Sequence, residues 1–242
     1  MEQNNLAIGN SFSRDATRYL YGVARAAGVR LNVANLYIGG CPLALHYRNM
    51  LGETAAYSLD FNGMETGFSV SLQGALLSRD WDVVTLQQAS HFSTHYRSFE
   101  PYLGALITFV RRYAPKARIY LHETWAYKPD SDRLRHRMGY ETHGDMYRDI
   151  HAAYARAAQE NRVDGVIPCG ALFDRMVREP SLPSLYYDEF HASRGLGRYA
   201  LSLVWLKTLT GTSASGNTFR DFDEPIDEAS VLTVQRMADA LL

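Results

Sequence analysis

Leu6-Ala7-Ile8-Gly9-Asn10-Ser11-Phe12-Ser13-Arg14-Asp15 reads as the end of a buried strand, a tight turn and the start of a helix. The first three residues form a short apolar run, and Gly9-Asn10 interrupts it. Ala16, Tyr19, Leu20, Val23 and Ala27 then recur at helical spacing. Ser11 is therefore expected at the carboxyl end of a strand and the amino end of a helix. In an open parallel sheet that is where ligands bind, and backbone N–H groups at a helix start can stabilise developing negative charge. In isolation, Ser11 or Ser13 reads equally well as an N-cap that satisfies the first amides of the turn.

The same strand-then-helix alternation recurs downstream. Residues 33–38, 83–87, 119–122 and 163–168 are strand-like, while Leu103, Leu106, Ile107 and Val110, and later Met146, Ile150, Tyr154 and Ala157, follow helical spacing. Strands separated by helical crossovers imply a parallel sheet covered on both faces, a three-layer α/β/α sandwich. At 242 residues one domain spanning 1–242 is expected. Residues 127–137 read as a charged excursion, a surface loop or lid near the active edge. Residues 210–217 read as a linker to a C-terminal segment, 218–242, that packs back on the domain.

Asp188-Glu189-Phe190-His191 gives Ser11 a chemical context. A carboxylate three residues before an imidazole, in a turn leading to a helix, can fix the ring tautomer while the other ring nitrogen faces a serine hydroxyl. Nucleophile, base and orienter would then form one assembly suited to acyl-ester chemistry. Without the first segment, the same four residues would read as a solvated loop.

These residues carry a resemblance. Gly9-Asn10-Ser11-Phe12-Ser13 resembles the Gly-Asp-Ser block of the SGNH (GDSL-type) hydrolases, and Asp188-Glu189-Phe190-His191 resembles their Asp-x-x-His block. Gly39-Gly40 looks like their second block, whose glycine offers a backbone N–H to an oxyanion. Asn10 in place of aspartate, with Leu86-Gln87-Gln88-Ala89-Ser90 and Thr124-Trp125-Ala126-Tyr127, resembles the DUF4886 branch. The resemblance implies a flavodoxin-like sheet of five parallel strands in the order 2-1-3-4-5. It also implies catalytic Ser11, Asp188 and His191, with an oxyanion hole from Ser11, Gly40 and a side-chain amide. The third block departs from the usual Gly-x-Asn-Asp. Gln87 or Gln88 stands in the asparagine's place and offers the same donor on a longer stem. Alternation along a strand sends neighbours to opposite sides, so one of the two is expected to donate.

His46, His122, Glu123, Trp125 and Tyr127 are expected near the active edge, where aromatic faces beside hydrogen-bonding groups suit a sugar ring. The expected reaction is hydrolysis of small acyl esters, O-acetyl carbohydrate first among them, with no metal or organic cofactor. An acyltransferase with the same triad and a non-catalytic sugar-binding or nucleotide-binding protein on the same fold are the alternatives. His91 and His95 stand four apart, as for a metal on one helical face, but without the glutamate of the zinc hydrolase motif. The formal net charge of -1 gives no broad electrostatic reason to expect nucleic acid or an anionic membrane as partner. No apolar run is long enough to span a bilayer. The two cysteines, Cys41 and Cys169, are expected as free thiols. With Met1 as the native start the chain is expected in the cytoplasm; with a leader removed ahead of it, in the periplasm or outside the cell. Oligomeric state has no signature in the sequence.

Overall fold

The computed structural model describes residues 2–241. Five strands run parallel: β1 (Gln3–Gly9), β2 (Leu31–Tyr37), β5 (Val83–Leu86), β6 (Arg118–His122) and β7 (Gly165–Ile167). Their spatial order, β2-β1-β5-β6-β7, is 2-1-3-4-5 when these strands alone are counted. β5 is buried throughout and β1 from its third residue onward, as strands covered on both faces must be. The helices form two groups. α1 (Ser11–Thr17), α2 (Leu20–Ala26), α8 (Leu196–Thr210) and α9 (Glu228–Asp239) pack together, and α3 (Leu43–Leu51), α4 (Leu72–Leu77) and α5 (Tyr102–Tyr113) form the other group. α6 (His143–Asn161) packs on α5 and on α7 (Cys169–Val177).

The sheet is mixed and seven-stranded, which corrects the expectation of five parallel strands alone. A hairpin, β3 (Tyr57–Phe61) and β4 (Met64–Val70), adds antiparallel to the outer edge of β2. Its turn is Asn62-Gly63, with φ of 52° and 82°. Two consecutive positive φ values are what a tight hairpin turn requires, and Asn-Gly is the sequence signature for it. Apolar alternation misses the hairpin because β4 is exposed at nearly every position.

The first helical stretch is also two helices, α1 and α2, that meet at Arg18–Tyr19. Thr17 Oγ1 donates to the Ser13 carbonyl oxygen at 2.8 Å, and such back-bonding competes with helix continuation. Residues 211–217 are pinned: Asn217 Nδ2 donates to the Val23 carbonyl, and Asp239 accepts from the N–H groups of Ala214 and Ser215. α9 lies on α8, with Gln235 Nε2 donating to Tyr199 Oη at 2.8 Å and to the Asn217 carbonyl at 2.7 Å. Cys41 and Cys169 are buried free thiols. No helix among the described residues is long and apolar enough to cross a membrane.

Candidate active site

β1 ends at Gly9, and Asn10 caps α1: its Oδ1 accepts from the Phe12 N–H at 3.0 Å. The capping role is thus taken by Asn10, which leaves the Ser11 hydroxyl for other chemistry. His191 Nε2 lies 2.9 Å from Ser11 Oγ, and His191 Nδ1 lies 2.7 Å from Asp188 Oδ2. The other Asp188 oxygen accepts from the N–H groups of Phe190 and His191, both at 2.8 Å. Burial alone would raise the Asp188 carboxyl, but these N–H groups and the imidazole outweigh it and hold the group below the usual carboxylate value. Ser11 and the Asp188–His191 pair, separated by most of the chain, are thereby brought into one hydrogen-bonded line.

Asp15, one turn beyond Ser11, ties the two segments together. Its Oδ2 accepts from the N–H of Ala192, next to His191, at 3.2 Å, and its Oδ1 accepts from Arg198 Nε at 2.9 Å. Burial raises the Asp15 carboxyl against the opposing pull of Arg198 and His191. In the sequence a helical aspartate reads as surface charge, so Asp15 gives no local signal of this role.

A cavity of about 340 Å³ opens beside Ser11 and His191, with Tyr37, Gly40, Ser90 and Phe190 in its wall. Three larger clefts, of about 560, 550 and 410 Å³, include neither Ser11 nor His191. Gly40 has φ of 62° with nothing within 4 Å of where a Cβ would stand, so it suits a left-handed turn facing open space. Neither the Ser11 N–H nor the Gly40 N–H donates to another group among the described residues.

Both glutamines are turned away from that cavity, which corrects the expected side-chain donor. Gln87 is buried, its Nε2 donating to Asn10 Oδ1 at 2.8 Å and its Oε1 facing His122 Nδ1 at 3.1 Å. Gln88 Nε2 donates to the Ser98 carbonyl at 2.8 Å, and its Oε1 accepts from the N–H groups of Leu43 and Ala89. Gln87 instead braces the turn from below. Asn10 Nδ2 donates in turn to the Cys41 carbonyl at 3.1 Å, so His122, Gln87 and Asn10 link β6, β5, the Ser11 turn and the Gly39-Gly40 turn.

The close fit at this turn gives a test. A Cβ on Gly9 would stand 2.6 Å from Gln87 Oε1 and 2.6 Å from Ser13 Oγ, both held by hydrogen bonds of their own. Gly9→Ala is expected to destabilise by about 1–3 kcal/mol, read as a lower urea midpoint. An unchanged midpoint would show that the turn has slack.

The residues expected to touch substrate are scaffold instead. His46 Nδ1 lies 3.0 Å from Tyr57 Oη under a parallel stack of the two rings. His122 and Glu123 point apart: Glu123 Oε2 pairs with His151 Nδ1 at 3.0 Å, and its Oε1 accepts from the Ala171 N–H. Trp125 is stacked on Phe12 at 4.0 Å, and its Nε1 donates to the Phe190 carbonyl at 2.8 Å. Tyr127 Oη meets Ser90 Oγ at 2.9 Å. All five are buried and none lines the cavity; Trp125 and Tyr127 shape it from behind. Residues 91–94 form turns, so His91 and His95 share no helical face.

Burial pushes both His46 and His122 down to about 3. The unfolded chain takes up these protons near pH 6.5, so between about pH 6.5 and 3 it binds more protons than the folded protein. Stability therefore falls as pH falls through that window, by up to about 1.4 kcal/mol per pH unit for each histidine. Urea titrations from pH 7 to 4 should show a shallower slope for His46→Gln, whose amide can keep the bond to Tyr57. Equal slopes would place the acid sensitivity elsewhere.

The family model described as domain of unknown function DUF4886 matches residues 4–235. The chain belongs to the DUF4886 family. A solved DUF4886 protein from Bacteroides uniformis is 27% identical, with a TM-score of 0.90 over 99% of this chain and 94% of its own. A putative SGNH hydrolase from Slackia heliotrinireducens is 24% identical, with a TM-score of 0.59 over 86% of this chain and all of its own. A catalytic mutant of Axe2, an acetylxylan esterase from Geobacillus stearothermophilus, is 16% identical, with a TM-score of 0.53 over 87% of this chain and 96% of its own. No curated protein matches. This DUF4886 chain thus has the fold of the SGNH hydrolases.

Tyr37, Phe190 and Arg133 are the lining residues that sequence reasoning missed. Phe190 adjoins His191 and Arg133 lies in the charged excursion, so both were within reach of a reading that asked what covers the triad. Tyr37 ends β2, two residues before the glycine pair.

Proposed function

We propose that this protein is a serine esterase that hydrolyses small acyl esters, with an O-acetylated sugar as the favoured class. The observation that carries the reading is the Ser11–His191–Asp188 line at 2.9 and 2.7 Å beside an open cavity. His191 Nε2 takes the Ser11 proton as Oγ attacks the ester carbonyl, and Asp188 stabilises the resulting imidazolium. The N–H groups of Ser11 and Gly40 are the donors available to the tetrahedral oxyanion, each worth about 10²- to 10³-fold in rate in comparable sites. The His191 proton passes to the departing alcohol, and the same imidazole then activates the water that releases the acyl group.

Size and lining support a small, ring-shaped alcohol. About 340 Å³ is at the low end for ligand pockets, and Tyr37 and Phe190 add aromatic surface beside the polar Ser90 and His91. Axe2, of the same fold, is an acetylxylan esterase. Treatment with an alkyl phosphonofluoridate tests the nucleophile directly: serine oxygen displaces fluoride at phosphorus, leaving a stable adduct. Peptide mass analysis is expected to find the adduct on Ser11 and to find none in Ser11→Ala. Labelling elsewhere, or none in the wild type, would count against the reading.

A further inference from the structure

We infer that Arg133 is a specificity-determining residue selecting esters whose alcohol portion carries a carboxylate, an inference that rests on the proposed esterase. Arg133 begins the short helical turn Arg133–Arg137 within the excursion, and its side chain enters the wall of the catalytic cavity. Aspartate and glutamate are both absent from the described residues lining that cavity. His91, the neighbouring lining residue, is pushed down by burial and by the Arg133 charge, which favours its neutral form.

The guanidinium is held in place yet unspent. Its carbon sits 4.2 Å from the centroid of the Phe190 ring, and the backbone N–H of Arg133 donates to Glu189 Oε1 at 3.1 Å. The nearest carboxylate contact is from Nε to Glu189 Oε2 at 3.9 Å, beyond hydrogen-bond reach. The arginines of the helices that carry Ser11 and follow His191 are engaged: Arg14 of α1 grips Asp60 with two bonds of 2.9 Å, and Arg198 of α8 holds Asp15 and Asp223. A guanidinium lying over the Phe190 ring, its carboxylate contact no closer than 3.9 Å, is a ready partner for a planar carboxylate.

Its position assigns the anion to the alcohol. The Phe190 ring lies 4.0 Å from the His191 ring, centroid to centroid and tilted by 38°, so His191, Phe190 and Arg133 follow one another along one wall. His191 delivers its proton to the departing oxygen, and the alcohol therefore leaves along the wall that Arg133 completes. Gly40, with its free N–H, belongs to the separate turn after β2.

The test compares 4-acetoxybenzoate with its methyl ester, which differ in whether the alcohol portion carries a charge. Each kcat/KM is normalised to the ester's own hydroxide-catalysed rate. The wild type should favour the carboxylate, and Arg133→Ala should reduce that ratio by about 10- to 100-fold, the scale of one charge-assisted hydrogen bond. Arg133→Lys should restore part of it, since the charge returns without the fork. A ratio that is the same in wild type and Arg133→Ala overturns the inference while leaving the esterase standing. Calorimetric binding of 4-hydroxybenzoate to Ser11→Ala, with and without Arg133→Ala, needs no turnover. Arg133-dependent binding without ester hydrolysis would uphold anion selection and remove the esterase; binding indifferent to Arg133 overturns the selection.

Discussion

Hydrolysis of p-nitrophenyl acetate is expected to fall by about 10⁴- to 10⁶-fold in Ser11→Ala, with the fold intact. The substitution removes the only atom that can form the acyl bond in the proposed mechanism, while the groups around it keep their other partners. Asp188 still accepts from two backbone N–H groups and His191 Nδ1, and Asn10 still caps α1. Stability should change by less than about 0.5 kcal/mol, because no buried group loses its last hydrogen bond. The measurement is kcat/KM beside a urea titration of both proteins. Equal turnover in the two would remove Ser11 as nucleophile.

Asp188→Asn is expected to cost about 10³- to 10⁴-fold in kcat/KM at neutral pH, for a different reason. Asp188 Oδ1 accepts from the N–H groups of Phe190 and His191 at 2.8 Å each. An asparagine must keep its oxygen there, since both donors need an acceptor. Its NH₂ then faces His191 Nδ1, and two donors cannot share one bond. The ring is driven to the tautomer with hydrogen on Nε2, which cannot accept the Ser11 proton. The loop should hold its shape, so an unchanged urea midpoint with lost turnover is the signature. Turnover within about tenfold of wild type would mean that the carboxylate does not set the tautomer.

The two substitutions also separate chemistry from architecture. Ser11→Ala acts on the nucleophile, whereas Asp188→Asn acts through the imidazole, and Gly9→Ala and His46→Gln act on the frame alone. Asp15 shows how closely the frame and the chemistry are joined: it shares α1 with Ser11 and holds the residue after His191.

Alternating apolar runs and turn residues made the parallel strands legible, because burial on both faces demands continuous apolar sequence. The β3–β4 hairpin has no such demand on it. Its outer strand is exposed, and its one strong signal, Asn62-Gly63, is a turn signal rather than a strand signal. Aromatic and polar residues near the active edge were legible as types but not as orientations. Trp125 and Tyr127 sit at the expected edge and turn inward, where Trp125 holds the Phe190 carbonyl and Tyr127 meets Ser90. Gln87 and Gln88 likewise carry the right donor group, yet each amide finds a partner within the protein before it reaches the cavity.

The sequence by itself determined the parallel α/β frame and placed Ser11 and the Asp188–His191 pair at segment ends, because strand periodicity, helix starts and short spacings are local properties of the chain. Tertiary structure alone decided which of those residues meet, which glutamine and aromatic side chains face inward, and that Arg133 lines the cavity. The reason is physical: a side chain's direction at a loop is set by competition among distant hydrogen-bond partners and packing neighbours. Those partners come together only when the whole sheet has formed.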